Sequence, residues 1–137
     1  MAKVTNKAAR YESVLLIDDN DIDNFINQRI ITSFYFANRV IVKTSAIGAL
    51  DFIKQNKESL PDIIFLDLNM PIMDGFGFLD EFDKMVKADL ITAGKCKIIV
   101  LSSSMSPDDI NRASVNPYVH KYINKPLTES YLEAISI

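Results

Sequence analysis

Short, unbroken apolar runs alternate along this chain with stretches of helical periodicity. Val14-Leu15-Leu16-Ile17 is the first run, and it stops abruptly at Asp18-Asp19-Asn20. Apolar residues in succession, without the polar alternation of a half-exposed strand, predict a strand buried on both faces. Asn20-Asp21 supplies N-cap chemistry for a helix running to about Phe34, with Ile22, Ile26, Ile30 and Ser33 forming a stripe at helical spacing. Phe25 and Ile31 lie roughly 100° and 140° from that stripe on an ideal helix, as extra core contacts or as an apolar docking patch.

The alternation continues. Arg39-Val40-Ile41-Val42-Lys43 reads as a second strand, followed by a helix from about Ser45 with Ala46, Ala49, Leu50 and Ile53 on one stripe. After Ser59-Leu60-Pro61, Asp62-Ile63-Ile64-Phe65-Leu66 is a third strand ending at Asp67. Pro71 and Asp74-Gly75 punctuate a turn, and Phe78, Leu79, Phe82 and Met85 mark the next helix. Lys97-Ile98-Ile99-Val100-Leu101 is the fourth strand, ending in Ser102-Ser103-Ser104. A short helix over 107–114, a strand over 119–123 and a helix from about Thr128 complete the pattern. Five strands alternating with helices predict an α/β fold: a doubly wound parallel sheet with helices on both faces.

Composition narrows the classes without choosing among them. The 137 residues fit one domain, read as residues 13–137 after a short polar leader over 1–12. Net charge is −3, which argues against a nucleic-acid partner. No apolar run reaches the ~18 residues needed to span a membrane, and the lysine-bearing N-terminus lacks the apolar segment of a secretory signal. A lone cysteine, Cys96, suits a reducing compartment, so a cytoplasmic location is expected.

Ligands of open α/β sheets bind beyond the carboxyl ends of the strands. Those ends carry Asp18-Asp19, Asp67, Ser102 and Asn124-Lys125-Pro126. Each alone reads as a cap or a polar turn. Together they bring three carboxylates, a hydroxyl and an ammonium to one edge. Crowded carboxylates repel unless a cation intervenes, and a hard divalent ion such as Mg²⁺ meets that need. Three aspartates, one divalent ion and one lysine sum to zero charge. Such a pocket suits phosphoryl transfer to a carboxylate nucleophile.

In Leu16-Ile17-Asp18-Asp19-Asn20, Asp67-Leu68-Asn69-Met70-Pro71, Met73-Asp74-Gly75, Leu101-Ser102-Ser103 and Lys125-Pro126, the sequence resembles the receiver domains of two-component response regulators. The resemblance runs from about Ser13 to Ile135. The bacterial chemotaxis regulator is the familiar single-domain example of that family, and the resemblance implies a flavodoxin-like sheet of order 2-1-3-4-5. It implies Asp67 as phosphoacceptor, and Mg²⁺ held by Asp18, Asp19, Asp67 and the backbone carbonyl of Asn69. Ser102 and Lys125 would contact phosphoryl oxygens, and Ser102 and Tyr122 would form the switch. Asn69 and Ser104 occupy the variable positions that tune phosphoryl lifetime, and Ser103 stands where alanine is frequent. The implied donor is a histidine kinase or a His-phosphotransfer protein, which in this family contacts the first helix, so a docking role for Phe25 stands beside a core one. Beyond its own phosphotransfer and autodephosphorylation, a receiver is not expected to be an enzyme.

Because the chain ends about ten residues after Lys125-Pro126, the expected output is contact with an unidentified protein target or phosphoryl passage along a relay. The segment 87–95 is longer than usual for the family. His120, the only histidine, lacks the helical setting of a phosphorelay histidine, and Cys96 is either a lysine-flanked thiol of lowered pKa or a plain strand entry. Alternatives are a phosphorylation-independent receiver-like adaptor and a Mg²⁺-dependent aspartyl-phosphate phosphatase. The latter needs an Asp two residues after its nucleophile, where this chain has Asn69. No GxxxxGK[ST] or GxGxxG occurs, which disfavours a nucleotide module.

Overall fold

The computed structural model describes residues 8–135; most of the polar leader, residues 1–7, lies outside them. Five strands, β1 (Tyr11–Ile17), β2 (Ala37–Lys43), β3 (Ile63–Leu66), β4 (Lys97–Ser102) and β5 (Val119–Asn124), form one parallel sheet ordered β2-β1-β3-β4-β5. Five helices connect and cover it: α1 (Asp21–Ser33), α2 (Ala46–Gln55), α3 (Gly75–Lys87), α4 (Pro107–Ser114) and α5 (Glu129–Ala134). The expected doubly wound, flavodoxin-like sheet is thus observed.

The apolar strands are continuous because both faces of the sheet are covered. Val14 and Leu16 join Ile31, Phe36, Phe65, Ile99 and Leu132 in the core under α1 and α5. Leu15 and Ile17 point the other way, joining Ile53, Ile64, Phe78, Phe82 and Val100 under α2 and α3. The stripes expected for α2 and α3 are all buried. Among the described residues no helix is long and apolar enough to cross a membrane.

The first helix departs from expectation. Its buried residues are Asn24, Asn27 and Ile31, whereas Ile22 and Ile26 of the expected stripe are 70% and 43% exposed. Ile31 is therefore core and Phe25, 60% exposed, is surface. The physical reason is local: the Asn24 amide is drawn inwards to donate to the buried Asp18 carbonyl at 2.8 Å. That bond turns Ile22 and Ile26 outwards, while Ile30 of the same stripe stays half-buried against the core.

The long segment after α3 is anchored rather than loose. Asp89 adopts a left-handed φ of 59°, and the N–H groups of Asp89 and Leu90 return to the carbonyls of Val86 and Met85. Ile91 then enters the core, before a 3₁₀ turn over Ala93–Lys95 leads into Cys96. Near the two ends of the described residues, the Arg10 guanidinium donates to the carbonyls of Leu132, at 2.7 Å, and Ile135. It also stacks over the rings of Tyr11 and Phe36.

Candidate functional site

Sheet hydrogen bonds continue just past β1 and β3 and fix the acidic residues there. The Asp18 N–H donates to the Lys43 carbonyl at 3.1 Å, and the Asp67 N–H to the Ile17 carbonyl at 2.9 Å. Asp18 and Asp67 are buried and Asp19 is exposed, with one carboxylate oxygen of each lying within 4.8 Å of the others. Parallel pairing of β4 with β5 sets Ser102 opposite Asn124, so Lys125 follows immediately, its N–H on the Ser102 carbonyl at 3.0 Å. The Lys125–Pro126 peptide is cis.

Lys125 reaches back across the edge of the sheet. Its ammonium lies 2.6 Å from Asp18 Oδ2 and 3.7 Å from Asp67 Oδ1. A further carboxylate, Asp23 of α1, lies 2.8 Å from the same nitrogen. Burial, reinforced by the Asp18 carboxylate, pushes the Asp67 carboxyl up to about 6, against the pull of Lys125 and of a hydrogen bond from the Asn69 N–H. Burial on its own would lower the Lys125 ammonium, but hydrogen bonds to Asp18 and Asp23 outweigh it and raise its pKa. This donor set of hard oxygens, with one carboxyl strained towards protonation, fits a divalent cation.

Behind β3 the chain must turn tightly to enter α3. The Gly75 N–H donates to the Leu68 carbonyl at 2.9 Å. A Cβ on Gly75 would sit 2.7 Å from the Asp67 carbonyl oxygen, so only glycine lets α3 start against the acidic strand end. Asp74 caps that helix by accepting from the Gly77 N–H at 2.8 Å.

Ser102 is fully buried, and its hydroxyl accepts from the Ser104 N–H at 3.1 Å. The Ser104 carbonyl in turn accepts from the Tyr122 hydroxyl at 2.8 Å. Ser102 and Tyr122 are thereby joined through one residue of the β4–α4 loop. Residues 14–136 match the profile of the response regulator receiver domain. The chain belongs to that family.

This receiver is 30% identical over 118 residues to the probable methanogenesis regulatory protein FilR2 of Methanothrix harundinacea, covering 84% of the chain and 72% of that protein. It is 28% identical over 116 residues to the response regulator Rcp1 of Synechocystis, covering 82% and 75% respectively. Among solved structures, a two-component response regulator from Cytophaga hutchinsonii is similar at TM-score 0.82 and 34% identity, with 90% and 92% of the two chains covered. Receiver domains accept phosphoryl groups in two-component signalling, bind Mg²⁺ through acidic residues and interact with histidine kinases or phosphotransfer proteins. The family is not one of conventional enzymes.

Two side readings of the sequence are resolved by position. Cys96 is buried, and its thiol is pushed up to about 12 by that burial, with the Asp62 charge adding to it. The lowered pKa weighed for a lysine-flanked thiol is therefore wrong, because apolar packing dominates over the flanking charges. His120 is exposed on β5, away from the acidic cluster. Sequence reasoning missed Asp23, the third carboxylate on Lys125, because its place three residues after the N-cap reads equally well as an ordinary first-turn acid.

Proposed function

We propose that Asp67 accepts a phosphoryl group from a histidine kinase or His-phosphotransfer protein, and that the phosphorylated receiver signals by contact with another protein. The observation that carries this reading is the cluster of Asp18, Asp19 and Asp67 oxygens within 4.8 Å, with the Lys125 ammonium 3.7 Å from Asp67. In the transfer, a carboxylate oxygen of Asp67 forms a bond to phosphorus as the phosphorus–nitrogen bond of the donor breaks. The electron pair of that bond leaves with the imidazole, which takes up a proton. Asp18, Asp19, Asp67 and the Asn69 carbonyl would hold Mg²⁺, which when bound neutralises charge on the transferring oxygens. Lys125 supplies a second positive charge, and Ser102 a buried hydroxyl that can donate to a phosphoryl oxygen.

The exposed side chains of Ile22, Phe25 and Ile26 on α1 support docking of the donor beside the acidic edge. The bonded path from Ser102 through Ser104 to Tyr122 supports a switch on the β4–α4 side. Incubation with acetyl phosphate tests the reading. The parent should gain one phosphoryl group in Mg²⁺ and none in EDTA, and Asp67→Asn should gain none. Undiminished labelling of Asp67→Asn would remove the assignment, and an unlabelled parent would favour a phosphorylation-independent adaptor.

A further inference from the structure

Lys125 stands among three carboxylates, and Asp23 lies outside the acidic cluster that the other two share. Asp23 is the third residue of α1, after the N-cap Asn20. An acidic side chain at that position commonly turns back to accept the N–H of the N-cap residue. Here Asp18 Oδ1 accepts the Asn20 N–H at 2.9 Å instead. The Asp23 carboxylate is left to Lys125, and no other described cation pairs with it.

The three partners of Lys125 differ in what else claims them. A cation drawn to the cluster competes with Lys125 for Asp18. A phosphoryl group on Asp67 offers Lys125 new anionic oxygens in place of a carboxylate. Asp23 is subject to neither change. It also has room to move, because a cavity of about 280 Å³ lined by Asp23, Ile26, Asn27, Ser103, Lys125 and Pro126 opens beside the pair.

The geometry points to Asp23 as the resting counter-ion of Lys125, a positioning residue that the phosphoryl oxygens displace when Asp67 is phosphorylated. The inference rests on Asp67 being the phosphoacceptor. No covalent bond changes in the exchange: Lys125 leaves one anion for another, and Asp23 turns to water. Because Asp23 lies between Ile22 and Phe25, the exchange alters the charge of the α1 surface at the moment of transfer. A donor seated there would meet a free carboxylate only after giving up its phosphoryl group.

Beryllofluoride with Mg²⁺, added to the whole chain and followed by fluorine NMR, tests the exchange. A partly exposed ion pair weighs up to about fivefold in an equilibrium. Asp23→Asn should therefore bind beryllofluoride about three- to fivefold more tightly than the parent. Removing a negative charge favours any nearby anion, so the substitution is repeated in a Lys125→Met background. There the gain should shrink to less than about 1.5-fold, since no lysine remains to be released. Asp23→Ser should behave as Asp23→Asn does, separating the effect from one amide's contacts. Equal gains in both backgrounds, or none in the single variant, would overturn the exchange. So would a fall of about tenfold in Mg²⁺ affinity for Asp23→Asn, the mark of a residue that holds the metal or supports its ligands. Failure of the parent to bind beryllofluoride would instead overturn the phosphoacceptor reading, and the exchange with it.

Discussion

Ile72 is a β-branched residue with φ of 70°, and it is 96% exposed. The Met73 N–H donates to the Pro71 carbonyl across it at 2.8 Å, closing a γ-turn of the rare, positive-φ kind. A side chain in this region costs about 1–2 kcal/mol, and nothing packs on this one to compensate. Glycine relieves the strain but loosens the unfolded chain by about 0.4–1 kcal/mol. Ile72→Gly should therefore stabilise the protein by about 0.5–1 kcal/mol, read as a higher urea midpoint at constant slope. The sequence marked this stretch as a turn through Pro71 and Asp74-Gly75, but not its hand. An isoleucine at positive φ contradicts local preference, so the sequence gives no sign of this hand.

At the scale of elements, what could be read depended on whether one physical term dominated. α2 and α3 bury apolar residues alone, so period and burial agree, and their stripes were legible. In α1 a buried amide competes with exposed isoleucines, and periodicity alone does not show which face turns inwards. The acidic pair, Asp67 and Lys125 were visible because strand ends can be placed from apolar runs. Asp23 was not, because its role depends on which neighbour accepts the Asn20 N–H. The junction of β3 with α3 gives the sharpest test of element packing. In Gly75→Ala the new methyl meets the Asp67 carbonyl and Leu68 Cα at 2.7 and 2.8 Å, both backbone and unable to swing aside. The expected cost is about 2–3 kcal/mol, within the range of core overpacking. Labelling by acetyl phosphate should slow as well, since the shift falls on the backbone of Asp67 itself. A variant as stable and as reactive as the parent would show that α3 can retreat freely.

For the whole molecule, the acidic edge sets a relation between pH, metal and stability. The Asp67 carboxyl is raised to about 6 in the folded chain, so the folded state holds its proton more tightly than the unfolded state does. Its contribution is present in full below the ordinary carboxylate range and is lost as pH rises through about 6. Thermal melts in EDTA should show Asp67→Asn gaining on the parent between about pH 4 and 7, with the difference flat above. Mg²⁺ should narrow that gap at pH 7 by binding the ionised form. A gap independent of pH would remove Asp67 as its source. The Arg10 clamp has a different consequence. It brings residue 10 against residues 132 and 135, so the last helix closes beside the first strand. Residues 8 and 135 can then be joined, and the backbone opened instead at an exposed turn. A short linker joining residue 135 to residue 8, with new ends opened at the exposed Lys57–Glu58 turn, would reorder the gene while keeping every contact of the acidic edge. The receiver is, in topological terms, close to a ring.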